Sequence, residues 1–437
     1  MSGALVSLGA FGAQDIYLTS NPQITFFKIV YRRYTNFATE EIEQTFNGTP
    51  DFGKSVTAII SRNGDLIQQM YLEVLMPTIV LTDADDGDPV LAGWIYGVGN
   101  ALVRTAEIEI GGTLVDRQHG EWMNIWTELS TPAAKRVGYD DMVGNWWGDT
   151  QQNATPATGG ASLATTAKRL YIPLQFWFNT NPGLALPLIA LQYHEVKLKL
   201  TFRDFNDLWV ADNAIADTSV IGTVNIKLYV NYIFLDTDER RRFAQVSHEY
   251  LIKQVQFTGD ESIAQSTTSK NVTLNFNHPV AELIWVHVTN AHATSAGSTL
   301  AGHAIGAANN WLNFSGAVQG GAVTNTDSFT QCKLQLNGHD RFSVRPADYF
   351  RKVQPFEHHT QVPRAVLSER AQYIYVYSFA LSPEEHQPSG TCNFSRIDNA
   401  IMQLTYTNNV AQVLKVYAVN YNILRIMSGM GGMAYAS

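Results

Sequence analysis

The chain has 437 residues, 45% of them hydrophobic, which is too long for one ordinary domain and fits two units of about 200 residues, each with its own core. Charged residues make up only 16% and the net charge is −9, a balance that argues against nucleic acid as a direct partner. A low-charge surface rich in Asn, Gln, Thr and Gly suits a protein packed against copies of itself, although a polar-neutral structural domain would share that composition.

In chain order, residues 1–20 contain no Lys or Arg. They carry no secretory pattern, because the apolar run is broken by Ser7, Gly9 and Gly12. No apolar stretch is long enough to cross a membrane as a helix, so a soluble product of the cytosol is expected. Asn21-Pro22 looks like a cap and a first-turn proline, and Ile24, Phe27, Tyr31 and Tyr34 follow at helical spacing. That pattern predicts a short helix with Arg32-Arg33 as a charge pair at its end. Strand signals come next. Met70–Val74 and Ile108–Ile110 are apolar at alternate positions, and Gly111-Gly112 after the second can adopt the positive φ that a tight hairpin demands. Val196, Leu198, Leu200 and Phe202 alternate with Lys197, Lys199 and Thr201, and Val224 through Phe234 alternates in the same way. Period-2 alternation predicts strands with one buried face. Arg240-Arg241-Arg242, beside Asp236, Asp238 and Glu239, then reads as a solvated, locally paired linker at mid-chain.

The second half repeats the first. Ile284–Val288 echoes Met70–Val74, and Leu334-Gln335-Leu336-Asn337-Gly338 echoes Ile108-Glu109-Ile110-Gly111-Gly112. Leu404-Thr405-Tyr406 echoes Leu200-Thr201-Phe202, and Val419-Asn420-Tyr421-Asn422-Ile423-Leu424 echoes Val230-Asn231-Tyr232-Ile233-Phe234-Leu235. The order is the same in both halves, but the spacing drifts. The drift brackets residues 131–167, 204–223 and 290–330, which are rich in Gly, Ala, Thr, Asn and Asp and lack sustained periodicity, so long loops are expected there. Many strands with no βαβ rhythm predict an all-β sandwich or barrel, present twice.

Candidate chemistry is sparse. There is no dinucleotide fingerprint, P-loop, His-Glu-x-x-His or Gly-x-Ser-x-Gly. Asp85-Asp86, Asp140-Asp141 and Glu384-Glu385 sit in loop-like contexts, not opposed across a cleft as glycoside hydrolysis requires. A metal could use His287, His292 and His303, or His358-His359, but no His-x-His occurs, so these are read as bystanders and no metal or cofactor is expected. Trp146-Trp147 and Trp311 could stack on sugars; gripping a loop or a neighbouring subunit is the favoured role. Cys332 and Cys392 cannot form a disulfide framework and read as small buried side chains in a reducing compartment.

Several runs resemble the major capsid proteins of chloroviruses and related large double-stranded DNA viruses. They include Asn21–Lys28 leading into Val30–Phe37, then Ser61-Arg62-Asn63-Gly64-Asp65-Leu66-Ile67, and Pro182–Ile189. The junction Phe234-Leu235-Asp236-Thr237 with Arg242–Gln245 fits, as do Gln387–Asp398 and Leu424–Gly432. The resemblance implies a double jelly roll: two tandem eight-stranded antiparallel sandwiches, with a short N-terminal arm and helix and long loops. The expected division is arm 1–26, first jelly roll 27–236 and second 237–437. It also implies a non-enzymatic homotrimer whose six rolls make a pseudo-hexagonal capsomer. Such capsomers would tile an icosahedral shell beside neighbouring capsomers, minor capsid and penton proteins. Long loops would face outward and the arm inward, near an internal membrane around a double-stranded DNA genome. The virion would be its place and the host cytoplasm its site of assembly. Relatives are glycoproteins, and five Asn-x-Ser/Thr sequons occur, at Asn47, Asn153, Asn271, Asn313 and Asn393. Asn153 and Asn313 lie in expected loops and are best placed, whereas Asn393 is expected to be buried. In such relatives, sugar attachment looks not to follow the sequon. The alternative is a carbohydrate-binding or carbohydrate-processing jelly-roll protein using exposed Trp and Asp residues.

Overall fold

The computed structural model describes residues 2–83, 92–144, 163–164, 168–211, 215–221, 224–290, 311–316, 326–364, 372–407 and 409–435. It divides into two compact units, Met1–Asn36 and Phe37–Ser437. In the first, two short helices form, α1 (Gly3–Gly9) and α2 (Ile16–Thr19). The helix expected after Asn21-Pro22 is absent: residues 21–36 carry no helix or strand. Asn21 takes a φ of 52°, unlike the extended backbone of an N-cap, and Ile24, Thr25, Ile29 and Val30 are β-branched. Ile24, Phe27, Tyr31 and Tyr34 are exposed, and a helix of this length is marginal in water without a packed face. Arg32-Arg33 therefore ends no helix.

The second unit contains two sandwiches. The first uses β1 (Phe37–Gln44), β2 (Ser55–Ile59), β3 (Leu66–Met76), β4 (Val103–Ile110), β5 (Thr113–His119), β6 (Lys168–Pro173), β7 (Val196–Phe202) and β8 (Asn225–Leu235). Its sheets run β1-β8-β3-β6 and β2-β7-β4-β5. The second uses β9 (His248–Ile263), β10 (Ser269–Thr273), β11 (Pro279–Thr289), β12 (Gln331–Leu336), β13 (His339–Asp340), β14 (Tyr375–Ser378), β15 (Ala400–Thr405) and β16 (Gln412–Met427). Its sheets run β9-β16-β11-β14 and β10-β15-β12-β13. Each of these eight strands of the first sandwich thus has its counterpart eight strands later, with the same neighbours among the sixteen, whereas the two-residue strand Phe46–Asn47 at the outer edge of β2 has none. All four echoes fall on counterpart strands, so the duplication read from sequence is a duplication of jelly rolls.

Register follows the echo closely. Leu235 of β8 faces Phe37 and Leu424 of β16 faces Tyr250; Val230 faces Ile42 and Val419 faces Val255. The ladder to the next strand breaks at the repeated Val-Asn in both halves, between Val230 and Tyr232 in one and opposite Val419 and Asn420 in the other. A β-bulge there bends the strand and re-aims its side chains. Both hairpins have two-residue turns at positive φ, 59° and 82° at Gly111-Gly112 and 50° and 81° at Asn337-Gly338.

The expected loops hold more structure than their composition suggested. Residues 131–167 contain α4 (Ala133–Val143), entered through Thr131-Pro132 and closed by left-handed Gly144 at φ 73°. Residues 204–223 contain strands Trp209–Ala211 and Ile215–Ile221, paired with Ala92–Trp94 and Thr78–Asp83. Of residues 290–330, the described part buries Leu312, Phe314 and Phe329 and forms a bridge between Gly316 and Thr326. A further helix, α3 (Gly120–Ser130), directly follows β5. Gly120 lies so close to the carbonyl oxygens of Asn100 and Val103 that a Cβ would collide with both. Gly120→Ala is therefore expected to destabilise the fold by about 1–3 kcal/mol, the usual cost of overpacking. An unchanged urea midpoint would show that α3 can slide away.

Two main cores result among the described residues, and each borrows from the other roll. Leu72, Ile108, Leu198 and Leu228 centre the first, which also takes Ile252, Leu424 and Ile426 from the second roll's strands. Trp285, Leu334, Met402 and Val416 centre the second, into which α3 inserts Trp122, Ile125 and Leu129.

Candidate assembly surfaces

The junction between the rolls is built edge to edge. β5 closes one sheet of the first roll and β9 opens one sheet of the second. Val255 N–H of β9 donates to Asp116 Oδ1 of β5 at 3.2 Å, and Gln254 Nε2 donates to the Val115 carbonyl. Burial pushes the Asp116 carboxyl up to about 7, partly offset by its hydrogen bonds from Val255 and Gln118. Gln254 Oε1 in turn accepts from Asn422 Nδ2 at 3.1 Å.

Buried ions join the rolls as well. Glu121 of α3 accepts from Arg203 Nη2 at 2.8 Å and lies 3.5 Å from Lys415 Nζ of β16. Burial alone would raise its pKa, but Lys415 and Arg203 hold the carboxyl well below the usual range. Arg364 of the second roll grips Glu128 of α3 and Asp140 of α4, both at 2.8 Å. Asn124 Nδ2 donates to Gln372 Oε1 at 3.0 Å. A cleft of about 220 Å³ beside this junction is lined by Trp122, Trp126 and Trp177. On its rim, Lys253 is already spent on the carbonyls of Pro383, Glu384 and Glu385, and Glu384 on His359.

The candidate chemical residues are not brought together. Asp85-Asp86, Trp146-Trp147, His292 and His303 lie outside the described residues. Asp140 is taken up by Arg364. Trp311 is covered by the Arg203 guanidinium at 4.3 Å and donates to the Asp207 carbonyl, so its face is engaged within the chain. His287 is buried beside Tyr406, 3.2 Å from its hydroxyl, and desolvation pulls its pKa down to about 3. His359 is no bystander: it lies buried between Glu282 and Glu384, each 2.8 Å away. Among the described residues no group of three or more His, Cys, Asp or Glu is placed to hold a metal ion. Cys332 is buried and Cys392 half-buried, both unpaired. Arg240 of α5 (Thr237–Gln245) pairs with Asp65, 2.9 Å away, rather than with the acidic residues beside it in sequence.

The sequons separate by burial. Asn313 is 1% exposed and its side-chain oxygen accepts from Ser315 N and Oγ, so it is buried and not, as expected, one of the best-placed sequons. Asn393, expected to be buried, is exposed and its side chain caps the turn at Ser395. Asn47 and Asn271 are exposed on strands, and Asn153 lies outside the described residues.

The residues that join the rolls escaped the sequence reading. Trp122, Ile125 and Leu129 stand at helical spacing, a signal that was available. Arg203 and Glu121, 82 positions apart, left none.

Two sandwiches of one strand order, joined through buried ions and shared cores, define a double jelly-roll protein of structural class. The chain belongs to the major capsid proteins of large eukaryotic DNA viruses: residues 25–236 match the family model "Major capsid protein N-terminus" and residues 239–432 match "Large eukaryotic DNA virus major capsid protein". It is 48% identical to the major capsid protein of Pyramimonas orientalis virus and 43% identical to that of Paramecium bursaria Chlorella virus 1, each over 100% of both chains. The crystal structure of PBCV-1 VP54, fitted into a reconstruction of the virophage Sputnik, superposes with a TM-score of 0.72 at 40% identity, covering 94% of this chain and 100% of that one. The Faustovirus major capsid protein shares the fold, with a TM-score of 0.73 at 13% identity over 97% and 96% of the two chains. The resemblance read from sequence is borne out, and the chain is a structural capsid protein of the virion.

Proposed function

We propose that three copies of the chain close into a ring whose six jelly rolls form a pseudo-hexagonal capsomer, the tile of an icosahedral shell. The observation that carries this reading is the identical strand order of the two rolls. Two similar rolls per chain let a threefold ring imitate a sixfold one, and closed rings are the favoured form of homo-oligomers. The shared cores and buried ions support each chain entering the ring as one block.

The shell encloses an internal membrane and a double-stranded DNA genome. An N-terminal segment without Lys or Arg over residues 1–20 suits a wall that does not touch DNA, since phosphate contact calls for basic arms. Exposed apolar side chains of that arm, among them Leu8, Tyr17 and Leu18, suit docking onto minor capsid proteins on the inner side; penton proteins fill the vertices. The division into arm 1–26, first roll 27–236 and second roll 237–437 is supported by α5 between β8 and β9, while the start of β1 at Phe37 speaks for placing residues 27–36 with the arm. The capsid role is non-enzymatic. Of the sequons among the described residues, Asn47, Asn271 and Asn393 are the exposed acceptors, and intact mass of virion-derived protein would reveal the occupancy of all five.

Light scattering after size exclusion tests the ring. A particle of about 145 kDa, three times the 48.5-kDa chain, is expected, with hexagonal outlines in electron micrographs. A monomer that binds oligosaccharide would instead support a carbohydrate-binding jelly roll.

A further inference from the structure

The duplication carries information about the contact between chains. In a ring of six rolls, contacts within a chain alternate with contacts between chains, and both join counterpart surfaces. Inside the chain, β5 of the first roll lies against β9 of the second. Their counterparts are β13 and β1, each the last strand at one edge of its sheet.

Burial shows the vacancy. Register pairs residues 37–44 of β1 with 235–228 of β8, as it pairs residues 250–257 of β9 with 424–417 of β16. None of the eight residues 250–257 is exposed, because the first roll covers them, whereas six of the eight in β1 are exposed. β1 is also an edge strand of its sheet, and a bare edge invites pairing with another chain.

We infer that β1 of one copy receives the β13 end of the second roll of another copy, in the way that β9 receives β5 within the chain. This rests on the trimeric reading above and assigns its interface. The counterparts of Lys253 and Gln254 are Glu40 and Glu41, reading across the registers with β8 and β16. Counting from the matched turns, the counterpart of Val115 is Arg341. Inside the chain the Gln254 amide reaches the Val115 backbone carbonyl, so the same placement between chains brings Glu41 beside residue 341, where the exposed Arg341 guanidinium is the group that can meet its carboxylate. The charges are complementary: Glu40 and Glu41 line β1, where Glu43 is already paired with Lys227, and Arg341 and Arg345, both exposed, flank the end of β13. The helical segment follows the same logic. α3 leaves β5 and crosses into the neighbouring roll; its counterpart connection, Tyr349–Val353 and α6 (Gln354–His358), follows β13 and leaves Phe356 78% exposed. Phe356 is then the apolar side chain that this connection offers to the interface between chains.

Charge reversal on the full chain tests this contact. Arg341→Glu and Glu41→Arg should each raise the trimer dissociation midpoint by about tenfold or more, because like charges meet across the interface, and the double reversal should restore it. Circular dichroism shows whether each variant folds. Should a reversal misfold, oxidation of the double variant Glu41→Cys, Arg341→Cys should give covalent dimers and trimers that the wild type, with its own two cysteines, does not. A wild type that is no trimer sinks the capsomer reading itself. A trimeric wild type whose single reversals dissociate normally, or whose cysteine pair stays uncrosslinked, overturns this assignment and leaves the trimer standing.

Discussion

Replacing Glu121 with alanine is expected to cost the folded chain about 3–5 kcal/mol, the usual penalty for removing one partner of a buried ion pair. The Glu121 side chain is 7% exposed and serves Arg203, 9% exposed, and Lys415. Without it two cations remain in a space shaped for three ions. Arg203 keeps its bond to the Ala101 carbonyl and its place over Trp311, but neither neutralises a guanidinium. Among the described residues Lys415 keeps Asp260 as its ion-pair partner, exposed and 3.7 Å away. Because Arg203 and α3 belong to the first roll and Lys415 to the second, the loss falls on the joint between rolls. Urea unfolding should show the lower stability, and the Glu121→Ala, Lys415→Ala pair should cost less than the sum of its singles. The pH dependence has a definite sign. A carboxyl whose folded pKa is depressed contributes stability that is present above its unfolded value and lost as pH falls below it. The variant should therefore lose less stability than the wild type in acid below about pH 4.5. A cost under about 1 kcal/mol would mean that water reaches the site.

How much of this was legible in the chain depends on how local each signal is. The strands carrying the four echoes were readable because alternation with period 2 needs only neighbours, and Gly111-Gly112 and Asn337-Gly338 announce their turns by conformational freedom. Leu228 and Val416 are buried as alternation demands. The helix after Asn21 failed for the opposite reason: its spacing was right, but Ile24 and Phe27 have no surface in their own unit to pack on. α3 was readable from Trp122, Ile125 and Leu129, yet the roll those side chains enter was not. Asn313 and Asn393 exchanged expectations because burial belongs to tertiary structure, and a sequon reads the same on either side of it. His359 stood next to His358 in an unpromising loop; only the fold brings Glu282 and Glu384 to it, from 77 and 25 positions away.

That histidine supports the second large effect. His359→Ala is expected to destabilise the chain by about 3–5 kcal/mol, since it strips the cation from between the buried Glu282 and the half-buried Glu384. Both the His359 and Glu282 side chains are 0% exposed. Glu384 is held from its other side by the Thr360 backbone N–H at 3.1 Å and by the Thr360 hydroxyl. Burial by itself lowers the imidazole pKa, but Glu282 and Glu384 outweigh it and push it up to about 9. The folded value thus stands above the unfolded 6.5. The stability it contributes is complete below pH 6.5 and disappears as pH rises to about 9. In alkali the neutral ring leaves Glu282 facing Glu384 without a cation between them. Urea titrations at pH 6 and pH 9.5 should therefore show wild type and His359→Ala far apart at the lower pH and much closer at the higher. A gap of equal size at both values would mean that His359 acts by packing alone, as a neutral ring against Trp126. Paired replacement of His359 and Glu282 by leucine separates these causes further. Removing both charges together should recover much of the loss, because a well-packed apolar pair can replace a buried ion pair at little cost.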